Sequence, residues 1–299
     1  MLLRQNKELN YQNLYLPDNK ILSGGKRTKD KYNRKDYFFS IITVVLNNVN
    51  FIEETIKSVI NQGIDVEYIL IDGGSTDGTL DIIKKYDNHI DLWISDKDFG
   101  IYDAMNKGIK YSSGKYLGII NSGDLYNFNA LSTIKSYFTK HEKLDFIFGT
   151  VQKKILKSGF KKNKIYWSFD FYPSHSSGFF ISSRVQKKLG LYNINFKLSA
   201  DHDLFFRLIK NKFKGMATKK NELIGYFTKD GGSYSSTIDF FDQFNEEINI
   251  RLKNEQNVLS IIFVILLNYS IKFFKNKKRS ISIKQCLNLI KNALKIEQK

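Results

Sequence analysis

The apolar positions fall into a rhythm over the first half of the chain. Ser40–Leu46 (SIITVVL) is a β-branched run without alternation, the pattern of a strand buried on both faces. Phe51–Gln62 carries Ile52, Ile56, Val59 and Ile60 at helical spacing, and Gly63 ends it. Glu67–Ile71 predicts a second strand, Thr79–Tyr86 a short helix, Asp91–Ser95 a third strand, Tyr102–Tyr111 a helix and Lys115–Ile120 a further buried strand. Strands alternating with helices argue for an α/β fold whose mostly parallel sheet is built by right-handed crossovers. Beyond Asp124 the rhythm loosens. Ala130–Thr139 predicts a helix, Leu144–Phe148 and Gly178–Ile181 strands, and Asp201–Ile209 a helix. Lys153–Lys164 is basic with a turn expected at Ser158–Gly159, and a helical tail is expected from Asp239 to the end.

Charge divides the chain more sharply than hydropathy does. Of the net +17, residues 1–36 hold 9 Lys and Arg against 4 Asp and Glu, and residues 251–299 hold 11 against 2, leaving +3 for the middle. The organisation read from this is a basic extension over 1–36, a main domain over 37–238 and a helical basic tail over 239–299. Basic ends suit an anionic surface; no nucleic-acid-binding motif accompanies them, so the expected partner is membrane lipid. The longest apolar run, Val258–Leu267, is too short to span a bilayer. Residues 257–274 followed by Lys275, Lys277, Lys278 and Arg279 fit a helix lying in a membrane interface, or a core helix packed on the main domain. Met1–Leu3 leads into polar residues, not a signal sequence. A single cysteine, Cys286, excludes an intrachain disulfide and fits a cytoplasmic protein held on the inner face of the membrane.

In an open parallel sheet, ligands bind beyond the carboxyl ends of the strands. Here those ends are followed by Asn47-Asn48, by Asp72-Gly73-Gly74-Ser75-Thr76-Asp77-Gly78 and by Asn121-Ser122-Gly123-Asp124. The glycine-rich loop has neither G-x-G-x-x-G nor a following G-K-[ST], so it is not a phosphate loop. Asp72 suits a base N–H or a ribose hydroxyl. Asp77 suits either a ligand or the cap of the helix at Thr79. Asp124, in a polar turn after a strand, suits a hard divalent cation.

The pieces SIITVVLNN (40–48), EETIKSVINQ (53–62), EYILIDGGSTDGTLDIIKKY (67–86), DFGIYDAMNKGI (98–109) and GIINSGDLY (118–126) together resemble a family 2 glycosyltransferase of the GT-A fold, of the bacterial surface-polysaccharide group. Beyond residue 126 the likeness thins to PSHSSGFF (173–180), ADHDLFFRL (200–208) and DGGSYS (230–235). The resemblance implies a GT-A domain with a nucleotide-sugar half, 37–126, and an acceptor half, 127–238. It implies a nucleotide diphosphate sugar donor, UDP-linked by default, and a glycan or lipid-linked acceptor. Carried over by position, Thr43, Leu46 and Asn47 would line the base and ribose pocket, and Asp72 would bond the base with Ser75 and Asp77 nearby. Asp103, Asn106 and Lys107 would close the donor site. Asp124 would hold Mn2+ or Mg2+, Asn121 would offer a neutral oxygen, and His175 would sit near the acceptor or diphosphate. Asp201 would be the base of an inverting transfer, with Asp203 as competitor.

One departure matters. The family's D-x-D motif is here Asn121-Ser122-Gly123-Asp124, with one carboxylate, so a weaker cation site, or one completed by His175, is expected. No Q-x-x-R-W motif surrounds Trp93 or Trp167, which by resemblance implies non-processive transfer. The alternatives are a non-catalytic nucleotide-sugar-binding protein of the same fold and a nucleotidyltransferase. The loop Asn47-Asn48-Val49-Asn50 speaks against the latter.

Overall fold

The computed structural model describes residues 21–29, 32, 35–168, 175–227 and 240–275. These fall into two compact units, one of 21–160, 175–194 and 213–227, the other of 161–168, 195–212 and 240–275.

In the first unit, the strands β1 (Leu22–Gly24), β2 (Phe39–Val45), β3 (Glu67–Asp72), β4 (Leu92–Ser95) and β5 (Tyr116–Asn121) alternate with helices α1 (Ile52–Ile60), α2 (Thr79–Lys85) and α3 (Ile101–Tyr111). β6 (Leu125–Tyr126), α4 (Ala130–Lys140), β7 (Phe146–Phe148), β8 (Thr150–Gln152) and β9 (Leu156–Lys157) follow, then β10 (Phe179–Ser182) with α5 (Ser183–Leu189), and finally β11 (Gly215–Ala217) and β12 (Leu223–Tyr226). The main sheet runs β1-β4-β3-β2-β5-β10-β7-β11. Its centre, β4-β3-β2-β5, is parallel, and β1 and β10 join it antiparallel. The sheet is therefore mixed around a parallel core.

β2 and β3 are buried at every position, as their unbroken apolar runs require. The alternation of side chains across the pleat separates two layers. Phe39, Ile41 and Val45 join Ile52, Ile56 and Val59 of α1 and Leu131, Ile134 and Phe138 of α4 in one cluster. Ile42 faces the other way, under Gly108 of α3. Each such aliphatic side chain contributes about 1.5–3 kcal/mol by leaving water. Tyr116 and Phe138 stack with centroids 3.7 Å apart.

Three features differ from the reading of the sequence. Part of the expected N-terminal extension belongs to the sheet: Leu22–Gly24 pair with Trp93–Ser95. Arg27 is buried, paired with buried Glu67 and donating to the Tyr111 carbonyl at 2.8 Å. A second sheet, β6-β12-β8-β9, has strands of two to four residues, too short for a period to register. In place of a turn confined to 158–159, the basic stretch begins as a β8–β9 hairpin, Val151 opposite Lys157.

The second unit holds α6 (Ala200–Lys210), α7 (Phe240–Lys253) and α8 (Val258–Lys275), with a 3-10 turn over Lys162–Tyr166. Its interior holds charged groups as well as apolar ones, Asp203, Glu247 and Arg251 among them. Arg251, 2% exposed, donates to the carbonyls of Ile165 at 2.6 Å and Ser168 at 3.0 Å. The Glu246 carboxylate accepts the backbone N–H groups of Lys197, Leu198 and Ser199 at 2.7–3.0 Å, satisfying donors just ahead of α6. The expected tail is helical over 240–253 and 258–275; residues 276–299 of it, and residues 1–20 of the extension, lie outside the described residues.

Candidate functional site

The carboxyl ends of the four central strands lie in register along one edge. Val45 pairs with Asp72, Asp72 with Ser95, and Val44 with Asn121. Backbone groups leaving the ladder there must find new partners, and the loops find them in one another. Asn47 takes a left-handed turn, φ 48°, which asparagine tolerates. Its N–H donates to Ser75 Oγ at 2.8 Å, and its Oδ1 accepts the Thr76 N–H at 2.8 Å. Asp77 accepts the Val49 N–H with one oxygen and the Thr79 N–H and hydroxyl with the other, at 3.0, 3.0 and 2.6 Å. Burial pushes the Asp77 carboxyl up, but the bonds from Thr79 and Val49 outweigh it and hold it below the usual range. Asn47, Ser75 and Asp77 thus staple the loop after β2 to the loop after β3.

Two expected base-pocket residues turn inward. Thr43 is wholly buried, its hydroxyl 3.0 Å from the Tyr68 hydroxyl. It lies two residues inside the end of β2, on the same face as Phe39, Ile41 and Val45, beside Tyr68 of β3, so it does not line the edge. Asp72 is also wholly buried. Its oxygens accept Ser75 N–H at 3.1–3.2 Å, Ser75 Oγ at 2.5 Å and Ser95 Oγ at 2.6 Å. These bonds from Ser75 and from Ser95 at the end of β4 tie it into the fold, where it shapes the glycine turn. Leu46, by contrast, is 54% exposed at the edge.

The carboxylate that reaches this edge is Asp98, which the sequence did not single out. A Cβ on Gly73 would lie 2.5 Å from Asp98 Oδ2 and 3.4 Å from Leu46 Cδ1, so the glycine makes room for both. Oδ1 of Asp98 accepts the Gly100 N–H at 2.9 Å. Burial pushes its carboxyl above the usual range, with Asp103 and Asp72 adding to the rise against Gly100 and Lys107. The D-x-G run ahead of α3 was the signal available for it.

The residues expected to close the donor site are engaged within the protein. Lys107 Nζ pairs with Asp96 at 3.0 Å and the Lys97 carbonyl at 2.9 Å. Asp103 accepts the Phe99 N–H at 3.2 Å and lies 4.0 Å from Lys107. Asn106 is buried and exchanges two hydrogen bonds with the Tyr192 backbone. These groups set the loop 96–100 and the segment around Tyr192.

The Asn121–Asp124 turn gathers the remaining pieces. Gly123 has φ 94°, and its N–H donates to Thr55 Oγ1 at 2.9 Å. Thr55 in turn donates to the Asp124 carbonyl at 3.0 Å, anchoring the turn on α1. Asp124 is 3% exposed, and its Oδ2 lies 3.1 Å from His175 Nδ1 without an aligned hydrogen bond. Asn121 Nδ2 donates to Ser176 Oγ at 3.1 Å, while its buried Oδ1 has no hydrogen-bond partner. The fold therefore brings together Asn121, Asp124 and His175, residues 54 positions apart at the extremes. Two buried, unsatisfied oxygens are hard donors that suit a divalent cation. Among the described residues no three or more His, Cys, Asp or Glu converge as a metal site. A cation here would draw its other ligands from a bound diphosphate and water, as Mg2+ does.

Asp201 and Asp203 lie in the second unit, in the first turn of α6. Asp203 is 1% exposed, paired with Arg207 Nε at 3.0 Å and accepting Asn254 Nδ2 at 3.0 Å. Asp201 is half-buried and accepts the His202 N–H at 3.0 Å. Residues 230–235 lie outside the described residues.

Residues 40–227 match the family model described as glycosyl transferase family 2. A "PGL/p-HBAD biosynthesis glycosyltransferase" of Mycobacterium bovis is 28% identical over 212 residues, covering 67% of this chain and 80% of that protein. Among solved structures, S. aureus TarS 1-349 in complex with UDP-GlcNAc matches with a TM-score of 0.65 at 16% identity, over 86% of this chain and 81% of that one. Against a longer TarS chain the match spans about half, 49%, of its length, with a TM-score of 0.63. The mannosyltransferase PcManGT from Pyrobaculum calidifontis, in complex with GDP-Man and Mn2+, matches at 12% identity and a TM-score of 0.56, over 87% and 80%. The α/β, GT-A fold expected from the sequence is thus the fold of the chain.

Proposed function

The chain belongs to glycosyl transferase family 2, and from that premise we propose that it moves a sugar from a nucleotide diphosphate sugar to a glycan or lipid-linked acceptor in surface polysaccharide assembly, inverting the anomeric centre and adding one unit at a time. It is a glycosyltransferase; the donor, acceptor and stereochemistry are the proposal. The mycobacterial relative's name supports a glycan of the cell surface, and the UDP-GlcNAc complex of TarS supports a UDP-linked donor.

The observation that carries this reading is the pair of unsatisfied buried oxygens, Asn121 Oδ1 and Asp124 Oδ2, at the end of β5. They would hold Mn2+ or Mg2+ against the donor diphosphate; a bound cation stabilises the negative charge left on the departing nucleotide. His175 Nδ1, 3.1 Å from Asp124 Oδ2, stands beside that cation position. Asn47, Ser75 and Asp77 keep the crevice open by fixing two loops, and Asp98 Oδ2 offers the base or ribose an acceptor beside Gly73. Asp201, half-buried in the first turn of α6 and the residue the family resemblance places as the base, takes the proton from the acceptor hydroxyl as that oxygen attacks the anomeric carbon. A cytoplasmic protein held peripherally at the membrane through its C-terminal segment belongs to the same reading; no helix among the described residues is long and apolar enough to cross a membrane.

Calorimetric titration of UDP, GDP and dTDP, each with and without Mn2+, tests it. Cation-dependent binding of one nucleotide is the expected result. Binding of none, under either condition, would end the donor-site reading.

A further inference from the structure

Trp167 and Phe263 meet edge to face in the second unit, with centroids 6.1 Å apart and planes at 83°. Neither is hidden by the contact: they remain 48% and 53% exposed. Phe263 belongs to a row on α8, Leu259, Phe263 and Leu267, spaced by four residues and therefore on one face. Leu259 is 75% exposed. The side of α8 that carries Ile261, Val264 and Ile265 is buried. An ordinary surface helix turns polar residues outward; α8 turns leucine and phenylalanine outward, and a tryptophan from a segment about ninety residues earlier joins them.

Lysines edge this apolar row. Lys161, Lys162 and Lys164 are exposed on the turn that delivers Trp167. Lys275, Lys277, Lys278 and Arg279 follow the row in sequence. Scattered exposed apolar residues carry no message, but an aromatic and aliphatic row beside same-sign charge does. We propose that this face docks on an anionic lipid bilayer, with Trp167, Leu259 and Phe263 entering the headgroup boundary and Lys161, Lys162 and Lys164 meeting the anionic headgroups. Tryptophan is at home there, its ring in the apolar boundary and its N–H in the wet layer. Apolar burial and electrostatic attraction act together in such docking. A second copy of the chain is the poorer fit: a two-fold contact sets a patch against itself, doubling a cationic surface with no carboxylate among these residues to offset it. The proposal extends the reading of a membrane-held transferase, since it gives the docking surface residues outside the C-terminal segment.

Full-length protein is mixed with vesicles of phosphatidylcholine alone or with added phosphatidylglycerol, and partition is read by co-sedimentation. Trp167 is the exposed one of the two tryptophans, Trp93 being 5% exposed, so iodide quenching reports its environment directly. The expected result is partition onto the phosphatidylglycerol vesicles only, with Trp167 protected from iodide. The double variant W167A/F263A should lose about tenfold or more in partition. The triple variant K161Q/K162Q/K164Q should lose at least about tenfold and most of the salt dependence. The lysine variant keeps the wild-type melting temperature, because its altered side chains are exposed; W167A/F263A gives up an edge-to-face pair, so its partition is measured well below its own melting temperature. Wild-type protein that stays in the supernatant with both vesicle types overturns the proposal, and so do variants that bind as wild type. A dimer that dissociates in W167A/F263A, without vesicle binding by the wild type, would make the face a self-association surface instead. Donor hydrolysis is measured on the same samples. If it persists while vesicle binding fails, the transferase reading stands and only the docking falls.

Discussion

Asn106 and Tyr192 clasp each other across the first unit: Asn106 Nδ2 donates to the Tyr192 carbonyl, and the Tyr192 N–H donates to Asn106 Oδ1, both at 2.9 Å. Two backbone groups are satisfied by one buried amide. Asn106→Ala would strand both, at a cost of roughly 2–4 kcal/mol for two lost bonds and their unpaired groups. Denaturant unfolding should show that loss, whether or not nucleotide is present. A variant with full stability but weakened nucleotide binding would return Asn106 to the donor site.

Asp124 should behave differently. Its side chain contributes no aligned hydrogen bond to the fold, so Asp124→Ala is expected to unfold near the wild-type denaturant midpoint. UDP affinity should fall about tenfold or more in Mn2+, the cost of a lost carboxylate ligand, and hardly change in chelator. Equal losses in both conditions would place the cation on other residues.

Asp98 is the group whose prediction depends most on geometry. Its Oδ2 faces Gly73 and Leu46 at the strand edge. Asp98→Asn keeps the shape but replaces an acceptor with an amide, and should narrow the difference in affinity between UDP and GDP by about tenfold. Gly73→Ala should mimic the defect, since the new Cβ would collide with Oδ2 at 2.5 Å. Unchanged nucleotide preference in Asp98→Asn would leave base recognition to the backbone.

The second unit carries a pH dependence of its own. Burial disfavours the His202 imidazolium, but the neighbouring Glu247 carboxylate overcomes it, helped by Asp201 and opposed by Arg251, and the ring is pushed up to about 9. In the unfolded chain histidine titrates near about 6.5. Because the folded protein holds the proton more tightly, this stabilisation is complete below about pH 6.5 and is lost as pH rises through about 9. Unfolding midpoints should therefore fall across that window in the wild type, and much less in His202→Gln. Parallel slopes in both would assign the dependence elsewhere.

What the sequence made legible follows from length. β2, α1, β3 and α3 are six to eleven residues long, enough for a run or a period to repeat. β1, β6 and β9 have three residues or two, and no pattern distinguishes them from loop. The strand ends are legible for the same reason, and so is the place of Asn47, Ser75, Asp77, Asn121 and Asp124 at or just beyond them. Side-chain direction was not legible. Thr43 and Asp72 sit near strand ends yet point into hydrogen bonds with Tyr68, Ser75 and Ser95. Asp98 sits in a loop, and only the approach of Gly73 puts it at the edge.

Asp201 and Asp203 are two residues apart, and the structure gives them different surroundings. Both oxygens of Asp203 are engaged, one by Arg207 and one by Asn254, in a site 1% exposed. Asp203→Asn would leave the Arg207 guanidinium without its counter-charge, so a loss of roughly 2 kcal/mol in stability is expected. Activity in that variant should fall only as far as folding does. Asp201 is half-buried; it accepts the adjacent His202 N–H, an interaction an amide oxygen can keep, and its charge helps to hold the His202 proton. Asp201→Asn should stay folded, with a small loss of stability below about pH 9 where His202 is charged, and bind nucleotide as the wild type does, yet lose about a thousandfold or more in transfer, since an amide cannot take the acceptor proton. Unfolding curves, nucleotide titration and transfer rates on the two variants separate the roles. Near-normal transfer by Asp201→Asn would remove it as the base, and inactivity of a well-folded Asp203→Asn would move the role to the neighbouring carboxylate.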